Sequence, residues 1–234
     1  MATKTLQVKA RLIMLSYLSR VFITLFLFAV PACSAVPDGI QIPDPVVDEA
    51  LATTKDRQSV VIAGGCFWGI QAVFQNTRGV VDATSGYSGG SANTAHYEMV
   101  SEGNTGHAES VRINYDPSQI TLGKLLKIFF SVAHDPTQVD RQGPDTGTQY
   151  RSAIFYSNEE QKRIAQAYVD QLNRAKVFEQ PIATQIVSLK SFYEAEDYHQ
   201  DYVLQHPNEP YIRIHDLPKL ANLRKQFPEL CKPR

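Results

Sequence analysis

Residues 59–69 read Ser59-Val60-Val61-Ile62-Ala63-Gly64-Gly65-Cys66-Phe67-Trp68-Gly69, and the change of period inside this stretch decides the fold. The run from Ser59 to Ala63 is rich in β-branched residues and stops at two glycines, as a short buried strand does. Beyond Cys66 the apolar residues Phe67, Ile70, Val73 and Phe74 recur at helical spacing. A strand that turns over Gly64-Gly65 into a helix places Cys66 at the helix N-terminus.

Working outward, Val80 to Tyr87 reads as a strand closed by Gly89-Gly90, and Val111, Ile113 and Tyr115 alternate as another. Thr121 is placed to cap a helix with the apolar face Leu122, Leu125, Leu126, Phe129 and Phe130. Ser152 to Tyr156 is a strand, and Ser157 with Glu160 predicts a capping box for a helix running to about Arg174. Ile182 to Leu189 reads as a further strand, and Leu217, Leu220, Leu223 and Phe227 mark a last amphipathic helix. The core order strand-helix-strand-strand-helix-strand is the split βαβ plan. It predicts a two-layer, ferredoxin-like α/β (α+β) fold: a mixed or antiparallel sheet with helices on one face, and a C-terminal extension.

The N-terminus has a different character. Lys4, Lys9, Arg11 and Arg20 precede the apolar run Val21 to Val30, small residues follow, and the first acidic residue is Asp38. A basic stretch, a short apolar core and small residues form the pattern of a secretory signal. Either a peptidase cuts near Ser34 or Ala35, or Val30-Pro31-Ala32-Cys33 acts as a lipoprotein box and Cys33 carries the lipid. Both predict export, to the periplasm in a bacterial cell. Four segments are expected: a leader over 1–35, a linker over 36–58 marked by Pro37, Pro43 and Pro45, a catalytic domain over 59–211, and a helical tail over 212–234.

The remaining composition narrows the chemistry. Of 234 residues 43% are hydrophobic and 20% charged, as in an ordinary globular protein, and the formal net charge of -1 offers nothing to bind nucleic acid electrostatically. Cys33, Cys66 and Cys231 are too few and too scattered for a disulfide framework or a structural zinc site. No metal, flavin or nucleotide motif is visible, so no cofactor is expected, and the chain is taken as a monomer. At a helix N-terminus a thiol gains from unpaired N–H groups and the helix dipole, which predicts a lowered pKa for Cys66. The same position also suits an inert cysteine in a packed strand-helix corner. Strand-turn-helix logic alone does not separate the two.

The hexapeptide Gly64-Gly65-Cys66-Phe67-Trp68-Gly69 resembles the active-site signature of the A-type peptide methionine sulfoxide reductases. The resemblance runs from about Val60 to Tyr211 and includes Gly86-Tyr87-Ser88-Gly89-Gly90, Thr105-Gly106-His107-Ala108-Glu109, the stretch from Gln142 to Ser152, and Ala195-Glu196-Asp197-Tyr198-His199-Gln200. It implies that the Cys66 thiolate attacks the sulfur of methionine S-sulfoxide, in oxidised proteins and in the free amino acid, and becomes a sulfenic acid. It implies Glu109 as the acid that protonates the sulfoxide oxygen, Tyr97 and Tyr150 as its hydrogen-bond donors, Asp145 on the polar side, and Phe67 and Trp68 against the S-methyl group. Read from its own strand alone, Glu109 suits a strand-end acid on the solvated face.

Many members of that family place a resolving cysteine just after the equivalent of Pro210-Tyr211, where this chain has Ile212. Either Cys231 returns to Cys66, or an external thiol, from a thioredoxin-like protein or glutathione, attacks directly. Two rival readings stay open: a Cys–His hydrolase or transferase using His107 or His199, and a non-catalytic exported binding domain lined by Trp68 and tyrosines.

Overall fold

The computed structural model describes residues 41–232, so the expected leader and Cys33 lie outside the described residues. A six-stranded sheet organises the domain. Its strands are β1 (Gln58–Gly64), β2 (Val80–Ser88), β3 (Ala108–Tyr115), β4 (Ser152–Tyr156), β5 (Gln185–Ser188) and β6 (Phe192–Glu194), in the spatial order β5-β4-β1-β3-β2-β6. Every pairing is antiparallel except β4 with β5, which are parallel. That pair needs a crossover, and the long helix α3 (Glu159–Arg174) supplies it. The expected mixed sheet is therefore present.

Four helices bury their apolar stripes on one face: α1 (Phe67–Gln75), α2 (Leu122–Ile128), α3 and α4 (Leu217–Gln226). Strand alternation supplies the other side of that core, with Val60 and Ile62 from β1, Val111 and Ile113 from β3, and Ile154 from β4. The opposite sheet face holds a smaller cluster of Val61, Ala63, Ala108, Ala153 and Phe155, covered by Leu189 and Phe192.

Local chemistry accounts for the helix starts. The Thr121 hydroxyl accepts from the Lys124 N–H at 3.2 Å, as its position predicts. The start of α3 differs from expectation by one residue. Asn158 Oδ1 accepts from the Gln161 N–H at 2.9 Å while Gln161 Oε1 accepts from the Ser157 N–H at 2.8 Å, so the reciprocal box is Asn158/Gln161 and not Ser157/Glu160. Glu160 instead pairs with Arg163 on the surface. β6 was not expected; at three residues it is too short to show a period, and it forms only by pairing with β2.

The stretch before β1 contains no helix or strand between residues 41 and 57. It is nonetheless fastened to the domain: Ile42 is buried, the Tyr168 hydroxyl donates to Pro43 O, and Asp44 pairs with Lys124 and Lys127.

Candidate active site

β1 delivers Cys66 to the start of α1 through a turn that permits one geometry. Gly65 has φ +97°, a conformation that side chains disfavour, and the Gln142 side chain fills the space a β-carbon would need. Gln142 is fixed in turn, its amide bonded to both the N–H and the carbonyl of Asp135. The ring of His134, stacked on Phe129 with centroids 4.0 Å apart, occupies the corresponding space over Gly64.

Cys66, Phe67, Trp68, Tyr97, Glu109, Asp145 and Tyr150 line one cavity of about 210 Å³, together with Tyr211. They come from the turn and first residues of α1, from β3, and from three connections, so the fold gathers residues spread over 145 positions of sequence. Alternation along β3 puts Glu109 on the same face as Val111 and Ile113, beneath α1. Glu109 is thus 3% exposed, not on a solvated face, and its carboxyl accepts from the Phe67 N–H at 3.1 Å. Burial outweighs that bond, with the Asp145 charge adding to it, and the carboxyl is pushed up to about 8. Glu109 therefore holds its proton at neutral pH.

The expected lowering of the Cys66 pKa is overturned. Burial pushes the thiol well up, and the carboxyls of Glu109 and Asp216 push it further; the Trp68 N–H and the Lys219 ammonium act the other way but do not prevail. The helix terminus is there, yet removal from water costs the thiolate more than the terminus returns. The resting site holds a thiol beside a carboxylic acid.

Ring contacts and hydrogen bonds hold the cavity walls. Trp68 stacks on Tyr202 with centroids 3.8 Å apart and rings 6° from parallel, and its indole N–H donates to His199 Nδ1 at 3.2 Å. Tyr97 is placed by its backbone N–H, which donates to Glu196 Oε1 at 3.0 Å, while the Tyr87 hydroxyl donates to the other Glu196 oxygen. Burial holds the Tyr97 and Tyr150 hydroxyls above their ordinary range, so both remain O–H donors. The Tyr211 hydroxyl donates to Asp145 Oδ2 at 2.5 Å, closing the polar side.

Neither histidine of the hydrolase reading lines this cavity. His107 is engaged at both ring nitrogens, with the Gly90 N–H and Ser91 O. His199 lies behind Trp68 and Phe67. No group of three or more His, Cys, Asp or Glu among the described residues is arranged to hold a metal ion.

Cys231 is at the wrong end of α1. It pairs with Thr77 in an isolated antiparallel bridge, and Lys232 N–H donates to Asn76 O at 2.9 Å. Thr77 follows the C-terminus of α1, whereas Cys66 precedes its N-terminus. A nine-residue helix is about 14 Å long, and a disulfide needs Cα atoms within about 7 Å. The structure does not bring the two thiols together.

The profile of the family described as peptide methionine sulfoxide reductase matches residues 58–230. The chain belongs to that family. A peptide methionine sulfoxide reductase of Synechocystis is 55% identical over 193 residues, covering 82% of this chain and 90% of the relative. One from Thermus thermophilus is 48% identical over 177 residues, covering 76% and 99%. Among solved structures, the fold matches methionine sulfoxide reductase A of Corynebacterium diphtheriae at a TM-score of 0.56, with 34% identity, covering 74% of this chain and 88% of that one. Reduced Mxr1 of Saccharomyces cerevisiae matches at 0.60, with 33% identity, covering 68% and 94%.

Two residues of this reductase site escape a reading of the sequence alone. Tyr211 and Tyr202 act through contacts with residues 66 and 134 positions away respectively, to Asp145 and Trp68. Only their presence among aromatic and acidic residues near the C-terminal end of the match could have flagged them. Glu196, which stands in a matching motif, is placed by the fold against the Tyr97 N–H.

Proposed function

We propose that the chain reduces methionine S-sulfoxide, in proteins and as the free amino acid, through a sulfenic acid on Cys66. One observation carries this: a buried thiol and a buried, protonated carboxyl share a small cavity walled on one side by fixed aromatic rings. Cys66 Sγ attacks the sulfoxide sulfur as Glu109 gives its proton to the sulfoxide oxygen. The thiol proton passes by way of the Glu109 carboxylate so formed to the same oxygen, which leaves as water as the S–O bond breaks. That water then attacks Cys66 Sγ, its proton returns to Glu109, the Sγ–S bond to methionine breaks, and Cys66 is left as S–OH. Methionine leaves reduced by two electrons and Cys66 is oxidised by two. Tyr97 and Tyr150 donate to the oxygen, Asp145 holds the polar side with Tyr211, and Phe67 and Trp68 receive the S-methyl group.

The separation of Cys231 from Cys66 favours regeneration by an outside thiol. A first thiol attacks the sulfenic sulfur and releases water; a second opens the mixed disulfide and frees Cys66. A thioredoxin-like protein or glutathione suits this chemistry. The basic-then-apolar pattern of residues 1–35 supports action outside the cytoplasm, with Cys33 as a candidate lipid anchor.

Incubating the purified chain with each sulfoxide epimer and dithiothreitol tests the reading. Thiol consumption is expected with the S epimer only, and none with Cys66→Ser. Turnover in that variant, or product release without net thiol oxidation, overturns it.

A further inference from the structure

Against the first turn of α1, three residues beyond Cys66, sits a pair of charges. The space that a side chain at Gly69 would need, within the first turn of α1, is taken by Asp216 Oδ1 and the Lys219 ammonium. Asp216 ends the π-helical turn Ile212–Asp216 and is fully buried; Lys219 stands one turn later in α4 with 17% of its side chain exposed. The ammonium donates to Oδ1 at 3.0 Å, while Oδ2 has no hydrogen-bond partner among the described residues. A buried ion pair with one oxygen unmatched is a poor device for stability, because desolvation consumes most of the attraction. Its position one helical turn from the reacting sulfur gives it another use.

We propose that Asp216 and Lys219 are positioning residues that set the resting reactivity of Cys66. Asp216 adds to what burial does in keeping the sulfur protonated, and Lys219 limits that addition. Both act through the field at the base of α1 without touching substrate. Asp216 disfavours the thiolate and Lys219 favours it, the carboxylate being the stronger of the two. Since Glu109 is neutral at pH 7, the Asp216–Lys219 ion pair is the charged group that acts on the thiol before substrate arrives. Other groups also face the sulfur: Glu109 from β3, Tyr97, Asp145 and Tyr150 from the connections, and Tyr202 and Tyr211 from the C-terminal third. They are common to every variant below and do not affect the comparison.

The proposal rests on the reductase reading only in naming Cys66 as the reacting group. Alkylation needs no sulfoxide, so the two ideas fail separately. The rate of Cys66 alkylation by iodoacetamide, followed by peptide mass spectrometry to exclude Cys231, is measured from about pH 6 to about pH 10. Asp216→Asn is expected to move the rise in rate to lower pH and to react roughly ten-fold faster at neutral pH, as a displacement of about one pH unit gives. Lys219→Met is expected to move it the opposite way, and Lys219→Arg to keep the parent profile. Opposite displacements distinguish a field from damaged packing, which would expose the sulfur and speed alkylation in both. An unmoved profile in Asp216→Asn, or displacement of both variants in one direction, overturns the proposal. If Asp216→Asn fails to fold, the slowed alkylation of Lys219→Met carries the test alone.

Discussion

The Phe67 backbone N–H donates to the Glu109 carboxyl at 3.1 Å, which fastens the acid to the residue immediately after Cys66. Donor and acceptor come from α1 and β3, 42 positions apart, so the spacing of acid and sulfur is a property of how the helix packs on the sheet. The bond also leaves the second carboxyl oxygen available to hold the proton. Glu109→Gln preserves the shape and one hydrogen-bonding oxygen but removes the transferable proton. The single-turnover rate of sulfenic acid formation is expected to fall by about 10² to 10⁴-fold, with substrate binding little changed. In the parent protein the same rate should decline as pH rises through about 8, where Glu109 loses its proton. Rapid-quench measurements across that range check both.

The same carboxyl costs stability, and the sign follows from linkage. An unfolded Glu titrates near about 4.3, whereas the folded group does so at about 8. Below the lower value both states hold the proton and stability is unaffected. Between the two only the folded state holds it, so unfolding becomes easier as pH rises, by about 1.4 kcal/mol for each pH unit. Above the upper value the loss is complete. Glu109→Gln should therefore be more stable than the parent, by a margin that grows between about pH 5 and about pH 8. Urea melts at the two pH values measure it; a constant margin would contradict the burial of an ionisable group here.

Much of this was legible in the residues because the pattern and the packing obey the same rule. The strand-to-helix corner at Gly64-Gly65-Cys66 shows a change of period that only such a corner produces. Glu109 was only half legible: its own strand suggested a solvated end and the family resemblance alone placed it in the site, although the alternation it shares with the buried Val111 and Ile113 already pointed inside. The ionisation of Cys66 was not legible, because it balances a local effect, the helix terminus, against burial created by distant segments. Tyr211 and Asp216 belong to the same class, their partners being set by the way the C-terminal helix returns over α1.

Cys231 should be dispensable for turnover. Its bridge to Thr77 and the burial of Leu220, Leu223 and Phe227 would have to be given up before it could approach Cys66. Three such side chains are worth on the order of 1.5–3 kcal/mol each. Cys231→Ser is expected to keep the parent rate with dithiothreitol or thioredoxin as reductant, and mass spectrometry after one turnover without added thiol should show oxidised Cys66 and free Cys231. A Cys66–Cys231 disulfide would show that the C-terminal segment detaches during the cycle.

The segment before β1 serves as the cap of a helix far from it in sequence. Asp48 accepts from the Gly123 N–H at 2.8 Å and from the Thr121 hydroxyl at 2.6 Å, and Glu49 accepts from the Leu122 N–H at 2.8 Å. Two carboxylates thus meet the free N–H groups of α2 and the positive end of its dipole. α2 runs on through the π-helical turn Phe129–Ala133 to His134, whose ring occupies the space over Gly64. Losing the cap should therefore loosen the turn that presents Cys66. Each cap is worth about 0.5–2 kcal/mol, so Asp48→Ala with Glu49→Ala is expected to cost about 1–4 kcal/mol and lower the melting temperature. Hydrogen exchange should quicken first at Leu122 and Gly123 and then along the Gly64-Gly65 turn. Exchange confined to residues 41–57 would mean that the cap steadies α2 without reaching the site.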